Sequence, residues 1–340
     1  MADSPTDQEH QRHDGSGAAA GTPAIDYLRI SITDRCNLRC VYCMPAEGVT
    51  SISHGEVLTY EELELFTRAA RASGITRVRI TGGEPLVRRG AVDFVRMLGA
   101  IDPDLRVSLT TNGVLLAQHA VALKEAGLRR VNISMDTLDP DAYKRITRVG
   151  RLEDAIAGLH AAIDAGLDPV KINVVVLKGL NDDPLPFAEL SRELPVQVRF
   201  IEYMPYFGEP GKWFLPSRLI KARLASMGRL QEVEPPEGWG PAGYYKLPGA
   251  VGLLGFISPV TRHFCSSCNR LRITADGKLR TCLFDANGFD VKGEIRAGAG
   301  AERLREIIEG ELARKRVEGG HNKPPGRRER AGDHMSRIGG

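Results

Sequence analysis

Six short apolar segments, separated by amphipathic helical patterns, constrain the fold of this chain more than any other feature. The segments are rich in valine and isoleucine, as buried strands are, and they span residues 27–33, 77–83, 105–113, 129–137, 169–179 and 196–204. Between them, apolar residues recur at helical spacing, for example at 61–73, 91–100, 115–127 and 152–166. This alternation predicts a parallel sheet built from right-handed βαβ units.

No glycine-rich fingerprint follows the first apolar segment, so a doubly wound dinucleotide-binding sheet is disfavoured. We predict an α/β fold in which residues 25–205 form a partial (β/α)6 barrel of the TIM type, with its chemistry at the carboxyl ends of the strands. Residues 206–320 have loop-like stretches, a helical pattern at 217–228 and short strand signals. We expect this C-terminal segment to close the barrel.

The two ends of the chain differ in composition from the rest. Residues 1–24 are polar, small and glycine-containing and lack the apolar core of a signal peptide, so we expect a disordered tail. Residues 321–340 are basic, rich in glycine and end in Gly-Gly, a composition that predicts a flexible tail.

Charge and hydropathy exclude some classes of function. A formal net charge of +3 argues against general nucleic-acid binding. No apolar run approaches the roughly 18 residues that a membrane-spanning helix needs, and we expect a cytoplasmic protein with no membrane partner. The six cysteines fall into two groups of three. In a cytosolic chain, such clustering favours metal or redox chemistry over a disulfide framework.

Cys36, Cys40 and Cys43, here called the first triplet, form C-x3-C-x2-C in the loop after the first predicted strand. Three thiolates on so short a loop converge on one metal centre, whereas iron–sulfur clusters usually have four cysteine ligands. Because the next cysteine is more than 200 residues away, the local pattern indicates a [4Fe–4S] cluster with one iron open to another ligand. The alternative is a structural zinc ion with a distant fourth ligand such as His54.

Cys265, Cys268 and Cys282, the second triplet, form C-x2-C-x13-C. The Asp-Gly pair at 276–277 predicts a hairpin that returns Cys282 to the other two cysteines. Three thiolates again lack a fourth cysteine, next to the basic pair Arg270 and Arg272. The residues alone leave two interpretations open: a cluster with an open metal position, or a zinc ion completed by His263.

Three cations, Arg29, Arg79 and Lys171, lie inside the apolar segments. If their side chains point into the barrel they require an anionic ligand, because unpaired buried charge is costly. If they point outward they pair with surface carboxylates. The residues alone do not decide between these orientations.

The first triplet resembles the signature of the radical S-adenosylmethionine (SAM) superfamily, C-x3-C-x-aromatic-C. Supporting motifs follow in order at the ends of predicted strands: TGGEP at 81–85, TTNG at 110–113 and NISMD at 132–136. The resemblance implies that SAM binds the open iron and is cleaved to methionine and a 5′-deoxyadenosyl radical. It also implies SAM contacts by Tyr42, Gly83, Ser134 and Met204.

The combined motifs resemble one family within this superfamily, the GTP 3′,8-cyclases of molybdenum cofactor biosynthesis. The motifs are both cysteine spacings, TDRCN, RITGGEPL, LTTNG, GLRRVN, RFIEYM and SRIGG. The resemblance implies a second [4Fe–4S] cluster on Cys265, Cys268 and Cys282, where the purine of GTP binds. It further implies GTP contacts by Arg29, Arg79, Thr110, Lys171, Arg270, Leu271 and Arg272.

The same resemblance implies the reaction and its setting. The deoxyadenosyl radical takes the 3′ hydrogen of GTP, C3′ bonds to C8 of guanine, and the cyclised radical is reduced. The product, 3′,8-cyclo-7,8-dihydro-GTP, passes to cyclic pyranopterin monophosphate synthase, and the enzyme is a candidate homodimer with an unidentified electron donor. The C-terminal tail enters the active site with Arg337, Gly339 and Gly340. We name no catalytic base and interpret Arg77, Arg130 and Arg199 as structural or surface residues.

Two rival functions remain. One is another radical SAM enzyme, such as a peptide maturase with auxiliary clusters, although such enzymes usually carry more C-terminal cysteines. The other is a zinc-dependent module that binds nucleic acid or protein through the C-x2-C region and the basic tail, which the near-neutral net charge disfavours.

Overall fold

A computed structural model of the chain describes residues 24–204, 211–236, 240–285, 288–317 and 335–339. Over these residues, one mixed sheet contains twelve strands in the order β12-β11-β10-β1-β2-β3-β4-β5-β6-β9-β8-β7. The strands are β1 Tyr27–Ser31, β2 Arg77–Thr81, β3 Arg106–Thr111, β4 Arg130–Ser134, β5 Val170–Val176, β6 Val196–Glu202, β7 Gln231–Val233, β8 Gly243–Lys246, β9 Leu253–Ile257, β10 Arg270–Ile273, β11 Lys278–Arg280 and β12 Phe289–Asp290.

Ten α-helices accompany the sheet in the described ranges. They are α1 Tyr60–Ala72, α2 Ala91–Gly99, α3 Leu116–Glu125, α4 Pro140–Thr147, α5 Leu152–Asp164, α6 Leu185–Glu193, α7 Ser217–Leu224, α8 Val291–Arg296, α9 Ala301–Val317 and α10 Met335–Ile338. Short 3-10 turns occupy His54–Glu56, Pro85–Val87, Ala225–Met227 and Cys265–Ser267. The predicted α/β class is therefore confirmed. No helix in these ranges is long and apolar enough to cross a lipid bilayer.

The six predicted strands form a continuous parallel series, β1 to β6. Each ends before its predicted limit, because the last residues of each apolar segment belong to loops at the carboxyl ends of the strands. The C-terminal segment adds strands to both edges of this series. β10 pairs parallel with β1, and β9 pairs parallel with β6.

Strand alternation separates an apolar outer face from a polar inner face. Leu28 and Ile30 of β1 are fully buried in the core, together with Leu63 and Phe66 of α1. The intervening residue, Arg29, faces the interior of the sheet and lines a cavity. The same alternation holds in β2 to β4 and in β10, so the hydrophobic core lies between the sheet and its helices, and the concave side of the sheet is left for polar side chains.

Local sequence signals account for the start of α1. The Thr59 side chain accepts a hydrogen bond from the backbone N–H of Glu62 at 3.1 Å, and the Glu62 carboxylate accepts one from the Thr59 N–H at 2.7 Å. This reciprocal pair is a capping box, which satisfies two backbone donors at the helix N-terminus. The capping box therefore fixes the start of α1 at Tyr60, after the loop that carries the first triplet.

The C-terminal stretch differs from the flexible tail that its composition predicts. Residues 335–338 form a helical turn, α10, in which Ser336 and Ile338 are buried. Residues 1–23, 318–334 and 340 lie outside the described residues, and the predictions for them remain predictions. The burial of α10 depends on long-range contacts, which composition does not encode.

Candidate active site

A cavity of about 480 Å³ occupies the concave side of the sheet and is lined by inward-facing residues of β1 to β6, β9 and β10. Its volume lies in the range of small-molecule sites. All six cysteines belong to its wall: Cys36, Cys40, Cys43, Cys265, Cys268 and Cys282. Residues more than 200 positions apart in the chain therefore share one compartment.

The first triplet lies in the loop after β1, and backbone hydrogen bonds shape this loop. The N–H of Cys43 donates to the carbonyl of Cys40 at 2.9 Å, and the N–H of Leu38 donates to the Cys36 sulfur at 3.4 Å. Burial raises the pKa of Cys36 to about 11 and that of Cys43 to about 12. These thiols are therefore neutral in the absence of a metal, and binding an electropositive centre would release their protons.

The side chain of Arg148 binds backbone carbonyls of this loop. Its Nη1 donates to the carbonyls of Arg39 at 2.7 Å and Met44 at 3.0 Å, which bracket Cys40 and Cys43. The backbone of Arg148 has a φ of 65°, the positive region that a side chain other than glycine rarely adopts. The contact therefore offsets a local conformational cost.

The predicted SAM contacts, Tyr42, Gly83, Ser134 and Met204, all line the cavity. Gly83 packs against the cysteine loop so closely that an added Cβ would lie 2.4 Å from the Arg35 carbonyl oxygen. Tyr42 donates from its hydroxyl to Asp136 Oδ2 at 2.7 Å. Burial raises the pKa of Asp136 to about 6. The sequence pattern did not predict that Asp136 holds Tyr42 in place.

Glu84 supports the turn beneath Gly83 and is fully buried. Its carboxylate accepts hydrogen bonds from the Thr111 hydroxyl at 2.8 Å, the Asn112 N–H at 2.6 Å and the Leu86 N–H at 3.0 Å. These bonds join the ends of β2 and β3. Burial nevertheless raises the pKa of Glu84 to about 7.

The second triplet is assembled by the predicted hairpin. β10 and β11 pair antiparallel, and this returns Cys282 toward Cys265 and Cys268. Burial alone would raise the pKa of Cys268, but the positive charges of Arg270 and Lys315 lower it to about 6. This cysteine is therefore favoured as a thiolate, the form that binds metals.

The two metal interpretations differ in how far apart the ligand atoms stand. Within the described ranges, no three histidine, cysteine or carboxylate side chains come close enough together to hold a single metal ion. In a [4Fe–4S] cluster each cysteine binds a different iron, so the sulfurs stand farther apart than around one zinc ion. His54 is exposed and outside the described cavity wall, whereas His263 lies on it. His54 is therefore not a ligand candidate for the first triplet, whereas His263 remains one for the second.

Two rows of the sheet register bring cations onto the same cavity wall as the triplets. In the sheet register, Arg29 of β1 lies between Arg272 of β10 and Arg79 of β2. In the preceding row, Tyr27 lies between Arg270 and Arg77. The described wall also carries Arg106, Arg130, Lys171 and Arg199. The inward orientation of Arg29, Arg79 and Lys171, which the sequence left open, is thus established.

Carboxylates are scarce on the described part of the wall. Its one carboxylate, Glu202, accepts from the N–H groups of Ser217 and Thr261, both at 2.9 Å. Burial, then the charge of neighbouring Arg272, lowers the pKa of Arg29 well below its ordinary value. Burial, then Arg270, lowers the pKa of Arg272 to about 10. The wall is therefore a strongly positive surface that an anionic ligand would stabilise.

Some cavity-lining residues, Ser336 among them, have buried polar atoms that find no hydrogen-bond partner within the described residues, and two of these atoms lie on the strands. They are the Thr110 hydroxyl and the Arg199 Nε, both shielded from solvent. Arg199 also donates from Nη2 to Asn173 Oδ1 at 2.5 Å. Arg77, Arg130 and Arg199, which we interpreted as structural or surface residues, all line the cavity, so the surface interpretation is wrong. Arg77 does have a structural contact, in which its Nη2 donates to Asp26 Oδ2 at 2.6 Å and Oδ1 at 2.7 Å.

The remaining predicted residues occupy different places. The side chain of Leu271 is buried in the hydrophobic core rather than on the cavity wall, because it alternates with Arg270 and Arg272. Arg337 donates from Nη2 to the Thr50 carbonyl at 3.3 Å and is not part of the described wall. Gly339 packs against Thr81 and Ser31 on the inner face of the sheet. Gly340 lies outside the described residues.

Comparison with known proteins shows which family the chain belongs to. Residues 30–190 match the Radical SAM superfamily, and residues 196–320 match the family described as Molybdenum Cofactor Synthesis C. A GTP 3′,8-cyclase of Pelotomaculum thermopropionicum is 48% identical, covering 93% of this chain and 98% of its own. The GTP 3′,8-cyclase of Moorella thermoacetica is 49% identical and also covers 93% of this chain and 98% of its own. The chain belongs to the GTP 3′,8-cyclase family.

Solved structures agree on the fold. Streptococcus suis SuiB is 14% identical and superposes with a TM-score of 0.57, covering 84% of this chain and 68% of its own. At this identity, the likeness concerns the fold alone. As a radical SAM protein, a member of the GTP 3′,8-cyclase family requires a [4Fe–4S] cluster and SAM. The first triplet, with its loop geometry and spacing, fits that cluster.

Proposed function

We propose that this chain converts GTP to (8S)-3′,8-cyclo-7,8-dihydroguanosine 5′-triphosphate, the first step of molybdenum cofactor biosynthesis. The observation that carries the proposal is the double row of cations that shares one cavity with two cysteine triplets. Relatives named GTP 3′,8-cyclase, at 48% and 49% identity over almost the whole chain, support the same reaction.

A nucleoside triphosphate matches the charge of the cavity wall. Arg29, Arg79 and Arg272 lie side by side on neighbouring strands, so three positive charges face one region of the cavity. A triphosphate brings several negative charges, and arginine binds phosphate oxygens through two parallel hydrogen bonds. We assign these three arginines to GTP with Thr110, Lys171, Arg199 and Arg270. Any contact from Leu271 would come from its backbone, since its side chain is in the core.

We further propose that the second triplet holds a [4Fe–4S] cluster whose fourth position is left to the purine. The cationic side chains of Arg270 and Lys315 beside Cys268 suit an anionic cluster. Tyr42, Gly83, Ser134 and Met204 would contact SAM at the first triplet. Substrate and SAM would then approach each other inside one cavity, held from opposite sides.

When bound, the first cluster and SAM would supply the radical chemistry that removes the 3′ hydrogen of GTP; C3′ would then bond to C8 of guanine, and one electron from the reductant and one proton would complete the dihydro product. The chain's own residues position the reactants and exclude water. The cations fix the triphosphate, and Asp136 orients Tyr42 through a 2.7 Å hydrogen bond. Gly339 packs against Thr81, which narrows the space beside the substrate.

The C-terminal segment completes this compartment. We propose residues 25–205 as the radical SAM unit and 206–320 as a segment that closes the barrel. Support comes from β9 and β10, which extend opposite edges of the parallel series, and from cavity-lining residues that both edges contribute, such as Ile257 and Arg272. A homodimer, a cytoplasmic location and transfer of the product to cyclic pyranopterin monophosphate synthase remain predictions.

The reaction is tested by anaerobic incubation of the purified protein with SAM, a reductant and GTP. We expect 5′-deoxyadenosine and the cyclised nucleotide in equal amounts. A peptide substrate is the rival within the radical SAM superfamily. Formation of 5′-deoxyadenosine with another substrate class, but not with GTP, would refute the substrate assignment.

Metal analysis after anaerobic purification tests the cofactors. We expect about eight irons per chain, four for each cluster. Four irons plus zinc would refute the second cluster, and zinc alone would refute both. The Cys268→Ala variant should still cleave SAM slowly but should lose cyclisation. Unchanged cyclisation in this variant would contradict a substrate-binding role for the second triplet.

A further inference from the structure

Lys315, near the end of α9, is a buried cation that the proposed reaction does not use. It is only 5% exposed, and lysine is rarely buried unless it is paired. No carboxylate in the described part of the chain forms an ion pair with it. Its Nζ instead donates to the Cys268 sulfur at 3.5 Å, the Thr281 carbonyl at 2.8 Å and the Arg270 carbonyl. These three acceptors use all three N–H donors of the ammonium group.

The acceptors belong to both arms of the hairpin that carries the second triplet. Arg270 lies two residues after Cys268 on one arm, and Thr281 directly precedes Cys282 on the other. One side chain from a distant helix therefore joins the two arms at the cysteines. The adjacent Arg314 reinforces the contact, since its Nη2 lies 3.2 Å from Oδ2 of Asp285 in the loop after Cys282.

We propose that Lys315 is a positioning residue for the second triplet: it fixes Cys268 relative to Cys282 and raises the reduction potential of the cluster held there. This inference rests on the proposed second cluster. At the first triplet, Arg39 donates to the Cys36 carbonyl rather than to a sulfur, and the described donors to the Cys36 sulfur are the neutral Leu38 N–H and, at 4.0 Å, the Asn112 side chain.

The effect on potential follows from elementary electrostatics. Reduction adds a negative charge to the cluster, and a neighbouring cation that donates a hydrogen bond to a ligand sulfur stabilises the added charge. Its low exposure strengthens the interaction, because water screens the ammonium group weakly. A lysine that served packing alone would hold the hairpin together without changing the potential.

The test compares Lys315→Met with Lys315→Arg and with Arg316→Met in the full-length, cluster-loaded protein. Methionine keeps much of the length of the side chain but removes the charge and the N–H donors, whereas arginine restores both. Arg316 is exposed on the same turn and serves as the matched control. Redox titration followed by electron paramagnetic resonance gives the potential of each cluster, and added SAM perturbs the first cluster and so identifies it.

We expect Lys315→Met to shift the second cluster to a more negative potential, Lys315→Arg to return it toward the wild-type value, and Arg316→Met to leave it unchanged. Loss of second-site iron in Lys315→Met that Lys315→Arg restores would also support the inference. An unchanged potential in Lys315→Met, or iron loss that arginine does not restore, would overturn it. A wild-type protein with iron for only one cluster would instead refute the proposed function.

Discussion

Arg272 donates from Nη1 to the carbonyl of Gly339 at 3.0 Å, although the two residues are 67 positions apart. The contact ties the last described turn of the chain to the row of cations on the cavity wall. An arginine that we assign to the triphosphate therefore also holds the tail. Substrate binding and tail position are expected to influence each other through this side chain.

Gly339→Ala should disturb the tail without affecting the first triplet. Gly339 has a φ of 77°, and an added Cβ would lie 2.0 Å from the Thr81 hydroxyl oxygen. Both the backbone conformation and the close contact therefore exclude a side chain. We expect loss of most cyclisation activity with SAM cleavage retained, measured as the ratio of cyclised nucleotide to 5′-deoxyadenosine.

Two further variants separate the causes of that loss. Gly310→Ala in α9 meets no atom within 4 Å and should behave as wild type. Combining Gly339→Ala with Thr81→Ala removes the hydroxyl clash but keeps the strained φ, so partial recovery is expected. If the Gly339→Ala protein cyclises GTP normally, the close packing of the tail has no role in the reaction.

Arg79→Met should have opposite effects on the free protein and on substrate binding. In the free protein, Arg79 is half-buried beside the cations Arg29 and Arg199, so its removal relieves repulsion and should raise the melting temperature. With GTP, loss of a charge-assisted contact should cost roughly 1.5–3 kcal/mol, about a tenfold to hundredfold rise in Kd.

Calorimetry of GTP binding and thermal unfolding without GTP give these two measurements. Arg96→Met, an exposed arginine on α2, is the control and should change neither. A lower melting temperature would show that Arg79 stabilises the free fold, and an unchanged Kd would show that it does not bind GTP.

The sequence predicted the strands, the hairpin and both cysteine triplets, because these depend on local periodicity and spacing. It could not decide whether Arg29 points inward, since an isolated strand has two equivalent faces. That choice is made by tertiary packing: Leu28 and Ile30 enter the core with α1, so Arg29 must face the cavity. Family resemblance, not periodicity, assigned the inward cations to GTP.

Other parts of the site escaped prediction for the same physical reason. Lys315 and Arg199 look like ordinary surface cations in the sequence, and only long-range packing brings them to the second triplet and the cavity wall. The basic, glycine-rich composition of residues 321–340 likewise gave no indication that residues 335–338 form a buried turn. Residues whose role depends on contacts across the sheet leave no local signal.

Glu84→Gln should flatten the dependence of stability on pH. Burial raises the pKa of Glu84 from 4.5 to about 7, so between these values the folded chain keeps a proton that the unfolded chain releases. Stability from this group is therefore present below pH 4.5 and is lost as pH rises toward 7, by up to roughly 3 kcal/mol. Glutamine does not titrate, and the loss over this range should shrink.

The measurement is the melting temperature of the cluster-loaded protein across that pH range under anaerobic conditions. Glutamine also turns an amide N–H toward the Asn112 N–H, so a uniform loss of stability is expected at every pH. The ionisation of Glu84 is therefore tested only by the slope of melting temperature against pH. Glu153→Gln, at an exposed position, is the control, and equal slopes in all three proteins would exclude Glu84 as the titrating group.

Arg148→Ala should weaken cluster retention at the first triplet alone. The substitution removes the two hydrogen bonds to the Arg39 and Met44 carbonyls and leaves the backbone at a φ of 65°. Arg148→Gly removes the same bonds but fits that φ, so it should be more stable than alanine by about 1 kcal/mol. Both variants should release iron to a chelator several-fold faster than Arg145→Ala, an exposed control on α4. A chain that keeps the iron of only one cluster and no longer cleaves SAM would place the effect at the first triplet. Equal rates of iron release from all three variants would show that Arg148 does not stabilise the cysteine loop.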